Sequence, residues 1–224
     1  MKHAGKARHA ALKLIFVALI LACALAAIGG CLRIERWAAI VVATLWLLFA
    51  LFTFYFFRDP NARTPQDPGL VVAPGHGKVD LIEQLTESKV TGGPCHRVSI
   101  FLSVIDIHVQ NAPISGKIAG VTRTNGQFMS ALKSDCAAFN ENVLIEFNSV
   151  ETPGEKIGLK LIAGVLARRI VPFVEQGDEL RRGERISLIQ FGSRCDLFLP
   201  LTYQLKVNVG QKVVGGETVV AAKA

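Results

Sequence analysis

The 224-residue sequence has five cysteines, at positions 23, 31, 95, 136 and 195, and no CxxC pair among them. That spacing supports neither a disulfide framework nor a zinc ribbon, and it suits a reducing compartment. Tryptophan and tyrosine are scarce, two of each, and no basic run is interleaved with aromatic residues, which argues against a nucleic-acid partner despite a net charge of +7. No HExxH helix is present, and His76, His96 and His108 are spaced unlike any compact zinc motif, so no metal site is expected. The sequence also lacks the Met-Lys-Met or Asp-Lys-Ala hairpin that would carry a swinging cofactor.

What the chain has in excess is apolar length at its front. Hydrophobic residues make up 50% of the sequence, and the mean hydropathy is +0.37, high for a soluble protein. Two runs, about 12–32 and 37–57, each approach the ~20 residues that a helix needs to cross a bilayer. Only Arg33-Ile34-Glu35-Arg36 separates them, so a two-helix transmembrane hairpin over residues 1–58 is expected. Lys2, Lys6, Arg8 and Lys13 precede the first run, and Arg58 and Arg63 follow the second. By the positive-inside tendency both ends face the cytoplasm, which places the rest of the chain on the cytoplasmic side of a bacterial-type inner membrane. A lipoprotein signal ending at Ile28-Gly29-Gly30-Cys31 is the competing reading, and the second long run argues against it. The surplus of positive charge suits anionic lipid headgroups, or simply a solvated surface.

From Arg58 to Gly69 the chain is proline-rich and polar and cannot continue a helix. Beyond it, residues 59–224 read as a mainly β domain of short Val, Ile, Leu and Phe runs: Leu70–Ala73, Val98–Val104, Lys117–Val121, Val143–Phe147, Lys160–Ala163, Ile186–Gln190, Asp196–Leu199 and Thr218–Ala221. Asp80–Leu85 and Ala163–Arg169 are expected to be short helices. A weak repeat aligns the segment from Val174 to Ile186 with that from Val207 to Val219 through two spaced glycines, Gly177 and Gly183 in one and Gly210 and Gly216 in the other. Such a pattern resembles the barrel-sandwich hybrid folds, and it speaks to architecture and not to a carrier function.

Two local patterns carry chemistry. In an extended segment, Asp106 and His108 project to one face, where a carboxylate can orient an imidazole as a general base. Gly192-Ser193, between two β-like runs, is a bond that the serine hydroxyl can attack at the preceding carbonyl, cutting the chain.

Several motifs, taken in order, resemble the phosphatidylserine decarboxylases in their short bacterial and archaeal form. They are Phe56-Phe57-Arg58-Asp59-Pro60, Val71-Val72-Ala73-Pro74-Gly75-His76-Gly77-Lys78-Val79, Phe101-Leu102-Ser103 through Asp106-Ile107-His108 to Ala112-Pro113, Asn140-Glu141-Asn142 and Phe191-Gly192-Ser193. The likeness runs from about residue 54 to the end. It implies a precursor cut between Gly192 and Ser193 into a β chain (1–192) and an α chain (193–224), with Ser193 becoming a covalent pyruvoyl group. That ketone would take the amine of phosphatidylserine and act as electron sink for loss of carbon dioxide, leaving phosphatidylethanolamine. His108 is the implied base for cleavage and proton donor for the product. Arg58, Arg63 and Lys78 are candidates for the phosphodiester. The family commonly carries Asp where His76 stands, so the carboxylate's work would fall to His76, Asp106 or Asp80. The alternatives are a non-cleaving membrane-anchored binding or scaffold domain, or a pyruvoyl decarboxylase of another aminophospholipid; a homo-oligomer is compatible with the sequence.

Overall fold

The computed structural model describes every residue except 1–2, 32–35, 89, 131–135, 166–168, 191 and 224. Two compact units divide the chain at Asp59 and Pro60. The first holds α1 (Lys6–Cys31) and α2 (Arg36–Phe56), whose stretches Lys6–Gly29 and Trp37–Phe56 are long and apolar enough to cross a bilayer. Their large side chains face outward, with Phe16 63% and Trp37 72% exposed, the reverse of a helix in a soluble core. Polar groups within α2 are satisfied locally: the Thr44 and Thr53 hydroxyls donate to the Ile40 and Phe49 carbonyls at 2.8 and 2.7 Å. Pro60 cannot extend the helix that ends at Phe56.

The second unit is built of β1 (Leu70–Val72), β2 (Gly77–Leu85), β3 (Cys95–Leu102), β4 (Val109–Asn111), β5 (Gly116–Thr124), the short α3 (Cys136–Phe139), β6 (Asn142–Ser149), β7 (Lys156–Ala163), β8 (Arg169–Pro172), β9 (Glu179–Leu180), β10 (Arg185–Gln190), β11 (Ser193–Pro200), β12 (Tyr203–Leu205), β13 (Lys212–Val213) and β14 (Val219–Lys223). An eight-stranded sheet runs β13-β2-β3-β11-β7-β6-β5-β9, and two three-stranded sheets run β1-β14-β12 and β4-β10-β8. The mainly β reading with an apolar helical pair in front therefore holds, although the strands form no closed barrel. One expected helix is corrected: Asp80–Leu85 lies within β2. Of the other, Ala163 ends β7 and Arg169 opens β8, while 166–168 lie outside the described residues.

The glycine repeat belongs to a larger internal duplication. Ala73-Pro74-Gly75-His76-Gly77-Lys78-Val79 and Ala112-Pro113-Ile114-Ser115-Gly116-Lys117-Ile118 lead into β2 and β5, and each strand has a register shift at the same place, Val79/Leu81 and Ile118/Gly120. Each also receives its own glycine turn. Val79 exchanges backbone bonds with Gln211 and Gly210, and Ile118 does so with Asp178 and Gly177. All four repeat glycines have positive φ, from 75° to 96°, a conformation that L side chains resist. Gly77 and Gly116 answer a different need: a Cβ would sit 2.1 Å from the Phe101 carbonyl oxygen in one copy and 2.4 Å from that of Asn148 in the other.

Alternation along β11 sends Ser193, Cys195, Leu197 and Leu199 to one face and Arg194 and Asp196 to the other. The first face joins the core with Ile100, Leu102, Leu159, Leu161, Val143 and Phe147. On the second, Arg194 pairs with Asp80 of β2, and Asp196 is 1% exposed with neither carboxyl oxygen hydrogen-bonded among the described residues. Burial raises the Asp196 pKa above the ordinary carboxylate value. The Ser99 hydroxyl, short of hydrogen-bonding geometry, and the cations Arg97, Arg194 and Lys160 pull the other way.

Two outcomes follow for the full chain in detergent micelles. Gly77→Ala and Gly116→Ala should each cost about 1–3 kcal/mol, read as a lower thermal midpoint, whereas Gly93→Ala, with nothing within 4 Å of the added Cβ, should be close to neutral. The second concerns pH. A carboxyl whose folded pKa is raised contributes its full stability below the unfolded pKa and loses it as pH rises through the folded pKa. Asp196→Asn should therefore gain on the parent as pH climbs from about 4 to 8, a gap that thermal melts at the two ends of that window would measure.

Candidate active site

Ser193 opens β11, a central strand, and lies in register between Leu102 at the end of β3 and Ala163 at the end of β7. It is fully buried, and its Oγ has no hydrogen-bond partner among the described residues. A buried hydroxyl left unbonded costs free energy, and such a group calls for a chemical explanation. The preceding Gly192 has φ +64°, and a Cβ there would come within 3.7 Å of Val104 Cγ2. The backbone thus turns sharply at the Gly192-Ser193 bond, in a conformation favouring glycine. Phe191, part of the same motif, lies outside the described residues.

His108 closes on this bond from the other side. It is 1% exposed, and its Nε2 accepts the Gly192 N–H at 3.0 Å while Nδ1 faces the Asp106 carbonyl at 2.8 Å. A carbonyl only accepts, so Nδ1 carries the proton; an N–H only donates, so Nε2 carries a lone pair. The ring is thereby held neutral, with its Nε2 lone pair on the amide that precedes the Gly192-Ser193 bond. Its own backbone is fixed twice, the His108 carbonyl accepting from Ile189 N–H at 3.1 Å and from Gln110 Nε2 at 2.7 Å. The buried Ser187 hydroxyl in turn donates to Gln110 Oε1 at 2.6 Å.

The expected Asp106 geometry needs correction. Residues 103–108 form a turn and not an extended run, because Asp106 N–H donates to the Ser103 carbonyl at 3.0 Å. Asp106 Oδ2 accepts from both the Ser103 N–H and hydroxyl at 2.8 Å. Its carboxylate shapes the turn, and it is the main-chain carbonyl that meets the imidazole. Asp80, another candidate for that carboxylate role, pairs with Arg194, the residue after the nucleophile; burial raises its pKa and Arg194 opposes the shift. His76 sits at the same end of the large sheet, just before β2, beside Asn111 and Gly215. A Cβ on Gly215 would come 2.9 Å from His76 Cδ2, so the glycine makes room for the ring. In the duplicated copy that place is taken by Ser115, whose Oγ accepts the Arg182 N–H at 3.1 Å.

The three basic candidates separate. Lys78 is exposed on β2, opposite Phe101 and near the Ser193 end. Arg63 is exposed, with its backbone N–H on Glu217 Oε1 at 2.8 Å. Arg58 belongs to the helical unit, where its guanidinium stacks over Tyr55 at 4.0 Å. Sequence reasoning missed two supports. Asn140, 1% exposed, donates to the Ala163 and Met129 carbonyls at 2.7 and 2.9 Å, pinning the strand end that flanks Ser193. Arg182 donates to the Pro65 and Asp67 carbonyls at 3.0 and 2.8 Å and so fastens the proline-rich segment to the domain. The Asn140-Glu141-Asn142 motif was visible, but its role required knowing which strands are neighbours.

Comparison with known proteins gives one family over most of the chain. A family described as phosphatidylserine decarboxylase matches residues 49–221. The phosphatidylserine decarboxylase proenzyme of Desulfotalea psychrophila is 41% identical over 181 residues, covering 80% of this chain and 83% of its own length. That of Oleidesulfovibrio alaskensis is 39% identical over 182 residues, covering 81% and 82%. That of Ruegeria pomeroyi is 42% identical over 171 residues, covering 75% and 77%. With a match of this extent, enclosing both His108 and the Gly192-Ser193 bond, the chain belongs to the phosphatidylserine decarboxylase family.

Proposed function

We propose that this chain is a proenzyme that cuts itself between Gly192 and Ser193 and then decarboxylates phosphatidylserine to phosphatidylethanolamine. The observation that carries the reading is His108 Nε2, which accepts the Gly192 N–H at 3.0 Å one residue before a buried serine whose hydroxyl has no hydrogen-bond partner among the described residues. Serine is a weak nucleophile until a base takes its proton. With His108 as that base, Oγ attacks the Gly192 carbonyl, the C–N bond breaks and an ester links the two parts. Removal of the Ser193 Cα proton expels Gly192 as a carboxylate and leaves dehydroalanine; its enamine tautomerises, and water releases ammonia and gives the ketone. The positive φ of Gly192 favours the approach by opening the carbonyl to the hydroxyl.

The residues present fit a pyruvoyl group made in place. Ser193 lies in the buried end of a strand paired on both sides, so the new terminus stays where the hydroxyl was. A pyruvoyl carbonyl supplies an electrophile for the substrate amine and a sink for the electron pair left by carbon dioxide. In cleavage His108 passes the serine proton to the departing Ser193 amine and ends neutral; recharged with a proton from solvent in each turnover, it is placed to protonate the product carbon. Lys78, exposed at the same sheet end, serves the phosphodiester, with Arg63 and Arg58 as further candidates. His76, in the space that Gly215 leaves open, takes over proton handling where relatives commonly carry a carboxylate. Residues 1–58 anchor the enzyme in the inner membrane, residues 59–224 work on its cytoplasmic side, and the acyl chains stay in the bilayer.

Intact mass under denaturing conditions tests the reading. The expected outcome is two fragments, 1–192 and 193–224, the shorter one starting with a ketone that reacts with hydrazine reagents. Ser193→Ala should remain one chain and release no carbon dioxide from phosphatidylserine. His108→Gln should slow fragment formation by about 10²-fold or more. His76→Ala should delay maturation by about tenfold, and maturation at the parental rate would leave this histidine a packing residue. A full-length chain in an active preparation would sink the pyruvoyl mechanism.

A further inference from the structure

Most connections at one end of the large sheet carry an exposed apolar side chain. Leu102, Ser193 and Ala163 stand in register at that end, as do Thr124, Asn142 and Ile162 on the neighbouring strands. The described parts of the β3–β4 turn, the β5–β6 connection and the β7–β8 loop therefore lie at the Ser193 end of the sheet. On them Ile105 is 63% exposed, Val165 52%, Phe139 56% and Phe128 36%. Phe128 and Phe139 lie on one small platform, because Gln127 N–H donates to the Phe139 carbonyl at 2.8 Å and Glu141 N–H to the Gln127 carbonyl at 2.9 Å. Ile105 follows Val104, whose methyl lies against Gly192. Exposed Arg169 opens β8 in register with Gln190, two residues before Gly192.

Large aliphatic and aromatic side chains held in solvent at several separate loop tips mark an interaction surface. Their convergence on the buried nucleophile, with a cation at the rim, selects the partner. We infer that this end of the catalytic unit docks on an anionic bilayer surface, with Ile105, Val165, Phe139 and Phe128 in the headgroup–acyl boundary and Arg169 at the lipid phosphates. The burial of such groups in the interface is favourable in proportion to apolar area, and each nearby cation adds attraction to anionic lipid. The opposite end of the sheet supplies a contrast. It also exposes apolar residues, Val150 and Leu201, but the cations there, Arg182 and Lys223, are already engaged by the carboxylates Glu151 and Glu155 and are not offered to lipid phosphate. Docking by the Ser193 end would let a lipid headgroup enter the site while its chains remain in the membrane. The inference rests on the lipid substrate proposed above, and its test does not depend on turnover.

The full chain, with its native cysteines replaced by alanine, is reconstituted in vesicles of phosphatidylcholine and phosphatidylglycerol, and a fluorophore is attached through Ile105→Cys or Val165→Cys. Lipids brominated near the headgroup should cut its emission at least about twofold, while the same label at Val150→Cys or Leu201→Cys should be little affected. Equal quenching at all four positions, or none at 105 and 165, would overturn the docking surface. If the cysteine-free background does not fold, a photo-crosslinking residue at position 105 of the natural sequence should form lipid adducts that the same residue at 150 does not; adducts at neither position, or equally at both, would overturn it as well. Failure here leaves fragment formation and carbon dioxide release intact, whereas failure of the decarboxylase reading removes those and leaves the lipid contact.

Discussion

The hydrogen bond from the Gly192 N–H to His108 Nε2 is the contact around which the site is organised. It sets the imidazole neutral, with its lone pair on the amide just before the scissile bond, and it accompanies a chain that turns through positive φ at Gly192. Either feature alone is unremarkable; together they bring an imidazole lone pair to the residue whose carbonyl adjoins the serine. The contact survives only because His108 cannot swing away. Its carbonyl is tied to β10 through Ile189, its Nδ1 to the turn at Asp106, and its neighbour Gln110 to Ser187. Most of these partners are buried, where a hydrogen bond left unmade is costlier than on the surface. The polar layer beneath the site therefore works as a clamp, and the turn at Ser103 to Asp106 forms its outer jaw.

The duplicated architecture explains how one fold houses this clamp on one side only. Both copies use the same devices, a glycine entering the strand, a register shift two residues on, and a glycine turn that returns two backbone bonds. They diverge where the turn comes back. In one copy Ser115 caps the backbone of Arg182, whose guanidinium then reaches across to the proline-rich segment and Glu151. In the other, Gly215 replaces the arginine and leaves space that His76 fills. The first copy thus became a fastening and the second an opening with an imidazole in it. Asn111 connects the two, accepting no bulk from Gly215 or Gly216 while its side chain donates to the Gly183 carbonyl of the first turn at 2.8 Å.

Much of this was legible before any coordinates, and what was not has physical reasons. The strands around Val98, Val143, Ile186 and Asp196 follow from runs of β-branched and aromatic residues, and the outward-facing helices from uninterrupted apolar length. Asp80–Leu85 reads as helical because Leu81, Ile82 and Leu85 recur at helix-like spacing. The register shift between Val79 and Leu81 breaks the strand alternation that would have identified it. Asp106 reads as a partner for His108 because period-two logic assumes extended backbone, whereas the Ser103 side chain and amide capture the carboxylate and close a turn. Gly192-Ser193 and His108 both stood out in the sequence, and the fold brings them together through the Gly192 N–H. Arg194 and Asn140 were not assigned, since their roles depend on β11 lying between β3 and β7, a non-local pairing that local pattern does not encode.

That central placement also resolves a tension in any self-cutting chain, which must break its backbone without losing its fold. Residues 193–224 contain β11 through β14. After cleavage β11 remains hydrogen-bonded to β3 on one side and β7 on the other, β13 to β2, and β14 to β1. Each pairing joins the short piece to the long one, and Cys195, Leu197 and Leu199 stay in the common core. The connection lost joins β10 of one sheet to β11 of another, two strands that are not paired with each other, so no interstrand register depends on it. Entropy gained by cutting so short a tie is small against this many interstrand contacts. A scissile bond at the sheet's rim, with its product terminus buried in a central strand, is the arrangement in which chain breakage and retention of the site are compatible.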